Sequence, residues 1–251
     1  EICACLVGSE MCIRDRAISL SERGGKKMKG LIRDILTFLR ELQENNDREW
    51  FAGQKPRYQK LKEGFDELVD RLIAQTAVWD EEVKNLKAKD CVYRIYRDIR
   101  FSPDKRPYKD HFAAYICGWR GRNSGRCGYY IHLQPGCCML GGGCYCPEPA
   151  LLKRIRQDIY ENIEEFTSII REPEFIAEFP ELDTDDKLKK VPAPFPADFP
   201  EADLLKHKHY DVMSVKPEAW FESDDLLQKV DAVFRKMYKF NRFFNYTIDN
   251  Q

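Results

Sequence analysis

The sequence has no long apolar run, and its charges almost cancel. Nothing in it reaches about 18 continuous apolar residues, the length that a helix needs to cross a bilayer, so we expect no membrane span. The formal net charge is −1, which gives no reason to expect a general affinity for nucleic acid. The sequence also lacks a Walker loop, a dinucleotide-binding glycine fingerprint, a Gly-x-Ser-x-Gly elbow and a His-Glu-x-x-His motif. These absences exclude the enzyme classes that are easiest to recognise from sequence.

The first 27 residues differ in character from the rest of the chain. Residues 6–15 read Leu-Val-Gly-Ser-Glu-Met-Cys-Ile-Arg-Asp, which resembles the translation of a transposon-type sequencing adapter. We therefore expect residues 1–27 to be a non-native or disordered segment, with the natural start at Met28 and a single domain over residues 28–251. The alternative is a signal peptide. It is disfavoured because no apolar run of about seven or more residues precedes a small-residue cleavage site.

Seven of the ten cysteines follow residue 27, and four of these are clustered at Cys137, Cys138, Cys144 and Cys146. An odd number in a chain long enough to bury a core argues against a disulfide framework, so we expect a reducing, cytoplasmic location. Structural zinc normally takes cysteine pairs about two to four residues apart, and the one-residue spacing of Cys144 and Cys146 suits it poorly. We interpret these thiols as small buried apolar groups and predict neither a metal nor a cofactor.

Apolar spacing predicts helices at both ends of the chain and a sheet between them. A helical stripe covers residues 29–43, a second long helix follows Asn46 and Asp47, and another closes the chain over residues 224–244. Short segments rich in aromatic and aliphatic residues predict strands over residues 91–98, 112–119, 127–134, 138–146 and 209–215. We therefore expect an α+β domain with an antiparallel β-sheet of about four to five strands (residues 91–146 plus about 209–215), flanked by N-terminal and C-terminal helices.

Four motifs occur in order along the chain. They are residues 46–51 (Asn-Asp-Arg-Glu-Trp-Phe), the basic run over residues 94–109, residues 128–133 (Gly-Tyr-Tyr-Ile-His-Leu) and residues 147–149 (Pro-Glu-Pro). In these motifs the sequence resembles the family called domain of unknown function 2461, a group of bacterial conserved hypothetical proteins, and the similarity extends over residues 29–245. The resemblance implies a domain of this length and supplies no activity. Members usually carry small or aliphatic residues at the four clustered cysteines, which counts against a family-wide metal site.

The strongest local positive charge lies between Arg94 and Arg126, a segment that contains nine Lys or Arg residues and three Asp. Residues 172–203 are the acidic counterpart, with ten Asp or Glu against three Lys. Arginine binds phosphate or carboxylate through two parallel hydrogen bonds, and a strand followed by a turn would bring several cations to one side. We therefore predict an anion site made by Arg94, Arg97, Arg100, Lys105, Arg106 and Lys109. The alternative is an ion-pair lattice in which the aspartates of this segment neutralise its arginines.

Two residues are candidates for proton transfer beside this anion site. His132 lies in the middle of a predicted strand, and its imidazole would serve if the sheet brings it near Arg94 or Tyr96. Tyr96 lies within the basic run and would donate from its phenol. The alternative for His132 is a packed, hydrogen-bonded histidine without a catalytic role.

Two functions of different classes agree with these residues. The first is a cytoplasmic domain that binds an anionic small ligand, carrying phosphate or carboxylate, through the basic strand and turn, with or without a reaction. The second is a non-enzymatic module whose basic hairpin binds nucleic acid or an acidic protein surface. A steep loss of binding with salt would indicate nucleic acid, because each neutralised phosphate releases counterions. The sequence leaves both functions and the oligomeric state open.

Overall fold

The computed structural model describes residues 28–100, 102–119 and 121–250, so the prediction for residues 1–27 lies outside it. Two long helices come first: α1 covers residues 28–44 and α2 covers Arg48–Thr76. The carboxylate of Asp47 accepts hydrogen bonds from the backbone N–H groups of Glu49 and Trp50 (2.8 and 2.9 Å). Because these N–H groups have no partner inside the helix, the aspartate fixes where α2 begins.

A four-stranded antiparallel sheet forms the centre of the molecule, with its strands in the order β1-β2-β3-β4. The strands are β1 Phe112–Ile116, β2 Gly128–Leu133, β3 Cys138–Cys144 and β4 Tyr210–Lys216. The other helices are α3 Ala88–Cys91, α4 Pro149–Glu161, α5 Ile163–Ile170, α6 Pro173–Glu178, α7 Glu218–Phe221 and α8 Leu226–Asp249. The α+β prediction is confirmed. In the described ranges, no helix is both long and apolar enough to cross a membrane.

The prediction of a regular strand over residues 91–98 was wrong. Helix α3 ends at Cys91, and the residues after it make only isolated bridges, from Val92 to Ala114 and from Tyr96 to Tyr108. Of the four strands predicted before residue 147, three are therefore present. The fourth strand of the sheet, β4, comes after α4, α5 and α6 in the chain.

Residues 92–100 and 102–109 belong to an irregular loop that we call the basic hairpin. Its two arms are joined by backbone hydrogen bonds from Arg97 to the carbonyl of Pro107 (3.0 Å) and from Lys109 to the carbonyl of Ile95 (2.7 Å). Proline has no N–H to donate, so Pro103 and Pro107 prevent these bonds from continuing as a regular ladder. The first arm has the residue types of a strand, but its backbone pairs mainly with the second arm of the hairpin.

The two faces of the sheet are covered differently. On one face, Tyr129 of β2 is buried and its ring contacts Phe234 of α8, with centroids 5.2 Å apart. Side chains alternate along a strand, so Tyr130 and His132 project from the opposite face. On β4 that opposite face includes Met213 and Val215, which are 39% and 62% exposed. We call it the open face.

Helix α8 approaches the sheet closely because β3 has no side chain at Gly142. A Cβ at this position would lie 2.3 Å from the carbonyl oxygen of Gly128 and 2.9 Å from Sδ of Met237. Both distances are below van der Waals contact, so any other residue would separate α8 from the sheet.

A carboxylate on α6 connects β4 to α8. Glu178 accepts hydrogen bonds from Ser214 (2.6 Å) and Lys216 (2.7 Å) of β4 and from Lys236 (2.9 Å) of α8. Burial acts to raise the pKa of Glu178, but these three donors together outweigh burial and lower the pKa from 4.5 to about 2. The pairs therefore hold β4 against the helices that cover one face of the sheet.

We expect Glu178→Gln to lower the free energy of unfolding at pH 7 by about 1–2 kcal/mol. A carboxylate with a lowered pKa stabilises the fold above its unfolded-state value of 4.5, and this contribution disappears as the pH falls toward about 2. The difference between the variant and the parent should therefore shrink over that window. Urea unfolding at a series of pH values measures it, with the exposed Glu174→Gln as the control. A difference that stayed constant with pH would contradict the assignment.

Candidate functional site

A cavity of about 550 Å³ lies on the open face, and we call it the sheet-face pocket. Its volume is within the range of about 300–1,000 Å³ that is usual for small-molecule sites. The floor is the sheet, and the basic hairpin and β4 form two opposite walls. The floor side chains include Tyr115, Tyr130 and His132, those on the hairpin side are Tyr93, Lys109, His111 and Arg122, and those on the β4 side are Tyr145, Asp211 and Met213.

His132 is held in the floor by hydrogen bonds at both ring nitrogens. Its Nδ1 lies 2.8 Å from the phenol oxygen of Tyr130, and its Nε2 lies 2.8 Å from Oε1 of Gln134. A neutral ring protonated at Nε2 satisfies both contacts, since Nε2–H donates to the amide oxygen and Nδ1 accepts from the phenol. Burial lowers the pKa of His132 and thus favours that neutral form.

A second imidazole stacks on the first. The ring of His111 lies 4.4 Å from that of His132, centroid to centroid, at an interplanar angle of 30°. Burial, followed by the proximity of His132 and Lys109, lowers the pKa of His111 to about 4. At neutral pH both rings are therefore uncharged and able to accept or donate hydrogen bonds, and the pair adds no positive charge to the pocket.

The positive charge of the pocket comes from Lys109 and Arg122, which both lie near the ring of Tyr93. The ammonium of Lys109 is 5.2 Å and the guanidinium of Arg122 is 6.0 Å from the ring centroid. Arg122 also donates to the carbonyl of Lys89 (2.9 Å). The half-buried Lys109 has no acidic partner within salt-bridge distance among the residues described. Burial, then the charges of Arg94, Arg122 and Arg97, lowers the pKa of Lys109.

Arg126 also lines the pocket but is already neutralised. Its guanidinium lies 2.8 Å from Glu82 and 3.0 Å from Asp249, and its side chain is 1% exposed. The ring of Trp119 covers it at 4.3 Å. This arginine anchors the loop after β1 to α8 and leaves the anion-binding capacity of the pocket to Lys109 and Arg122.

Most of the predicted cations lie on the turn of the basic hairpin and pair there. Arg97 and Arg106 both contact Asp104 (2.5 and 2.8 Å), and Arg100 contacts Asp98 (2.7 Å). Two further cations have other surroundings: Lys105 donates to the carbonyl of Ile99 (3.1 Å), and exposed Arg94 acts on Lys109 through its charge. In the turn, three of the arginines therefore pair with aspartates of the same segment. The six predicted cations do not converge on one point.

A shallower cavity of about 460 Å³ lies beside the turn. Arg97, Asp104 and Arg106 line it together with Lys109 and the two stacked histidines. Tyr96 lines neither cavity. Its ring is 48% exposed and packs near the rings of Phe51 and Tyr108. Of the eight predicted site residues, Lys109 and His132 line the sheet-face pocket, and these two line the shallower cavity together with Arg97 and Arg106.

An acidic side chain faces the pocket from β4. Asp211 is 1% exposed, and neither of its carboxyl oxygens has a hydrogen-bond partner in the described part of the chain. Burial, followed by the nearby charges of Asp183 and Asp185, raises its pKa to about 7. A buried carboxyl without a partner is uncommon because its desolvation is not compensated.

A family model described as "Conserved hypothetical protein (DUF2461)" matches residues 34–243. The chain belongs to this family. The match spans the whole sheet, the basic hairpin and both walls of the pocket, so the pocket is part of the DUF2461 domain and is not an addition to it. No curated protein and no solved structure matches the chain.

Sequence reasoning missed Asp211 and Arg122 in this DUF2461 chain. The signal for Asp211 was present: residue 211 lies in a predicted strand, and alternation places it on the same face as Met213 and Val215. An acid among apolar residues on that face was a candidate. Arg122 belonged to the basic segment but lay beyond the turn on which the prediction was centred. Across the residues described, no group of three or more His, Cys, Asp or Glu side chains could hold a metal ion.

Proposed function

We propose that this DUF2461 protein binds a small ligand carrying a phosphate or carboxylate group, and that this group contacts Lys109 and Arg122 in the sheet-face pocket. The observation that carries the proposal is the ammonium of Lys109, which is half-buried, lies close to several arginines and has no acidic partner among the described residues. Desolvation and like charges both disfavour its protonated form, and a bound anion would compensate both. Hydrogen bonds between ions are stronger than those between neutral groups, so the anion would bind firmly there.

The ion pairs of the turn favour the pocket over the basic hairpin as the binding site. A cation that already contacts a carboxylate gains less from a new anion than one that has no partner. Nucleic acid binds by neutralising a row of phosphates with accessible cations, and Asp98 and Asp104 reduce the number of such cations. A cavity with an aromatic floor suits a compact ligand better than a polymer backbone.

The Tyr130–His132 pair would let the same pocket support proton transfer. Both ring nitrogens of His132 are occupied, so the group that would meet the ligand is the phenol of Tyr130: its oxygen would take a proton from the ligand as its own proton passes to Nδ1. We therefore assign the acid–base role to His132, with Tyr130 in place of Tyr96 as its partner.

The test compares two lysine variants that make the same chemical change. Lys109→Met removes the ammonium of the pocket, and Lys105→Met removes one from the turn of the same hairpin. We expect Lys109→Met to weaken binding by about 10- to 100-fold, as is typical for a lost charge-assisted hydrogen bond, and Lys105→Met to leave it nearly unchanged. Isothermal titration calorimetry with inorganic phosphate, sugar phosphates, alkyl phosphates and dicarboxylates gives the affinities.

Equal losses in the two variants would contradict the pocket and favour a diffuse electrostatic surface. Binding of a short oligonucleotide that both variants weaken equally, and that disappears at moderate salt, would point to the nucleic-acid alternative. The absence of binding by every small anion would overturn the proposal.

A further inference from the structure

The sheet-face pocket has charged groups of opposite sign on its two walls. Lys109 and Arg122 lie on the hairpin side, and the carboxyl of Asp211 lies on the β4 side. The hairpin wall is attached to β1, since the backbone N–H of Tyr93 donates to the carbonyl of Ala113 (2.9 Å). β1 and β4 are the two edges of the sheet, about 14 Å apart at the usual strand spacing. The side chains reach inward from both edges.

Among the residues described, none pairs with the buried carboxyl of Asp211. In the register of the sheet it lies beside Gly143 of β3, which offers no side chain to contact it. A Cβ at Gly143 would lie 2.6 Å from Cα of Asp211, and the backbone there has φ of +111°. A larger residue at position 143 would therefore be both strained and in collision, so this position supplies no side-chain donor to the aspartate.

The neighbours of Asp211 increase its preference for a positive group. Asp183 and Asp185 lie close enough to act on its ionisation, and both carry negative charge. The charges of Asp211 and Asp183 also act on the phenol of Tyr145, on the same wall, and contribute to raising its pKa. None of the described residues donates a hydrogen bond to the carboxyl oxygens. The strongest donor to such a group is a cation, because the ion pair compensates the loss of water.

We infer that the ligand of the sheet-face pocket carries a protonated amine as well as an anionic group, with the amine donating to Asp211 and the anion contacting Lys109 and Arg122. This inference rests on the proposed function and adds a second contact of opposite sign. The floor between the two ends includes Tyr115 and Tyr130, which suit an apolar or aromatic spacer. The ligand class is a small amphoteric molecule, long enough to reach from one wall to the other.

Matched pairs of probes test the second contact directly. Each ω-aminoalkyl phosphate of a length series, such as 6-aminohexyl phosphate, is compared by calorimetry with the alkyl phosphate of equal length, here hexyl phosphate. Near pH 8 the amine is charged and the carboxylate is ionised. At the best length we expect the amine to bind about 10- to 100-fold more tightly than its partner, the gain of a charge-assisted hydrogen bond.

Three variants separate this inference from the proposed function. Asp211→Asn, which keeps the shape of the side chain, should remove the preference for the amine without weakening the binding of hexyl phosphate. Lys109→Met should weaken both probes. The exposed Asp198→Asn is the control and should change neither.

Equal affinities of the two probes at every length, with both lost in Lys109→Met, would overturn the amine contact and leave the anion site standing. An Asp211→Asn variant that kept the full preference for the amine would also overturn it. If neither probe binds the parent protein, both the amine contact and the proposed function fail.

Discussion

Replacing Asn245 with leucine is expected to lower the free energy of unfolding by about 3–5 kcal/mol. Asn245 lies on α8, and its amide forms two hydrogen bonds with the backbone of Cys127, the residue before β2. Its Oδ1 accepts from the N–H (2.8 Å) and its Nδ2 donates to the C=O (3.1 Å). Both groups are buried, and leucine has the same branching as asparagine but is larger and cannot pair with either. The variant would leave two backbone polar groups without partners.

This pairing connects the last helix to the floor of the pocket. One turn earlier on α8, the amide of Asn241 donates to the carbonyl of Gly128 (2.9 Å), so two asparagines side by side bind the same backbone segment. We expect the loss at Asn245 to be much larger than the loss in Asn250→Leu, an exposed position at the end of the same helix. That control should stay within about 0.5–1 kcal/mol of the parent.

Urea unfolding, followed by far-ultraviolet circular dichroism, measures both variants. A loss below about 1 kcal/mol for Asn245→Leu would mean that the backbone of Cys127 finds other partners, and that the helix is held mainly by apolar contacts such as those of Phe234 and Phe240.

The fold could be predicted because its signals are local. The stripe of apolar residues on α8 depends only on neighbours within a few turns, and the closing helix that it predicts is confirmed. The four strands that the structure contains were also predicted, to within a few residues at their ends. The wrong prediction of a strand over residues 91–98 also came from a local signal, since alternating aromatic residues indicate a strand wherever they occur. Pro103 and Pro107, which follow in the same hairpin, limit the backbone pairing that a strand needs.

The site was harder to predict because it depends on distant partners. Nothing in the sequence distinguishes Lys109, which has no acidic partner in the described structure, from Arg106, which contacts Asp104 two residues away. The difference arises when the hairpin folds and the aspartates of the turn select their neighbours. His132 was identified from its place on a strand. Asp211 becomes part of the pocket only because β4 pairs with β3, which places it opposite Gly143.

Replacing Asp211 with asparagine is expected to raise the free energy of unfolding near pH 8 by about 2–4 kcal/mol, although the side chain is buried. In the folded protein the pKa of Asp211 is raised from 3.8 to about 7. The folded state therefore holds a proton that the unfolded state has lost between these two values. It follows that the parent protein loses stability as the pH rises through this window, and that the loss is complete above it. Asparagine does not titrate, so the variant should lack this decline.

The pH dependence is what identifies the cause of the gain. The stabilities of Asp211→Asn and the parent should nearly coincide below pH 4, where the carboxyl is neutral, and diverge as the pH rises toward 7. The charged and titratable groups around residue 211 are the same in both proteins, so their own contributions to the pH dependence largely cancel. They are Asp183, Asp185 and Tyr145 nearby, and Lys109 and Arg122 across the pocket. Thermal or urea unfolding at several pH values measures the divergence, with Asp198→Asn as the control. A gain that is independent of pH would reflect packing, and a loss at every pH would mean that the carboxyl has a partner in solution. A rise in stability together with a lost preference for amine-bearing phosphates would show that this chain retains a destabilising carboxyl for binding, as is common where stability and function compete.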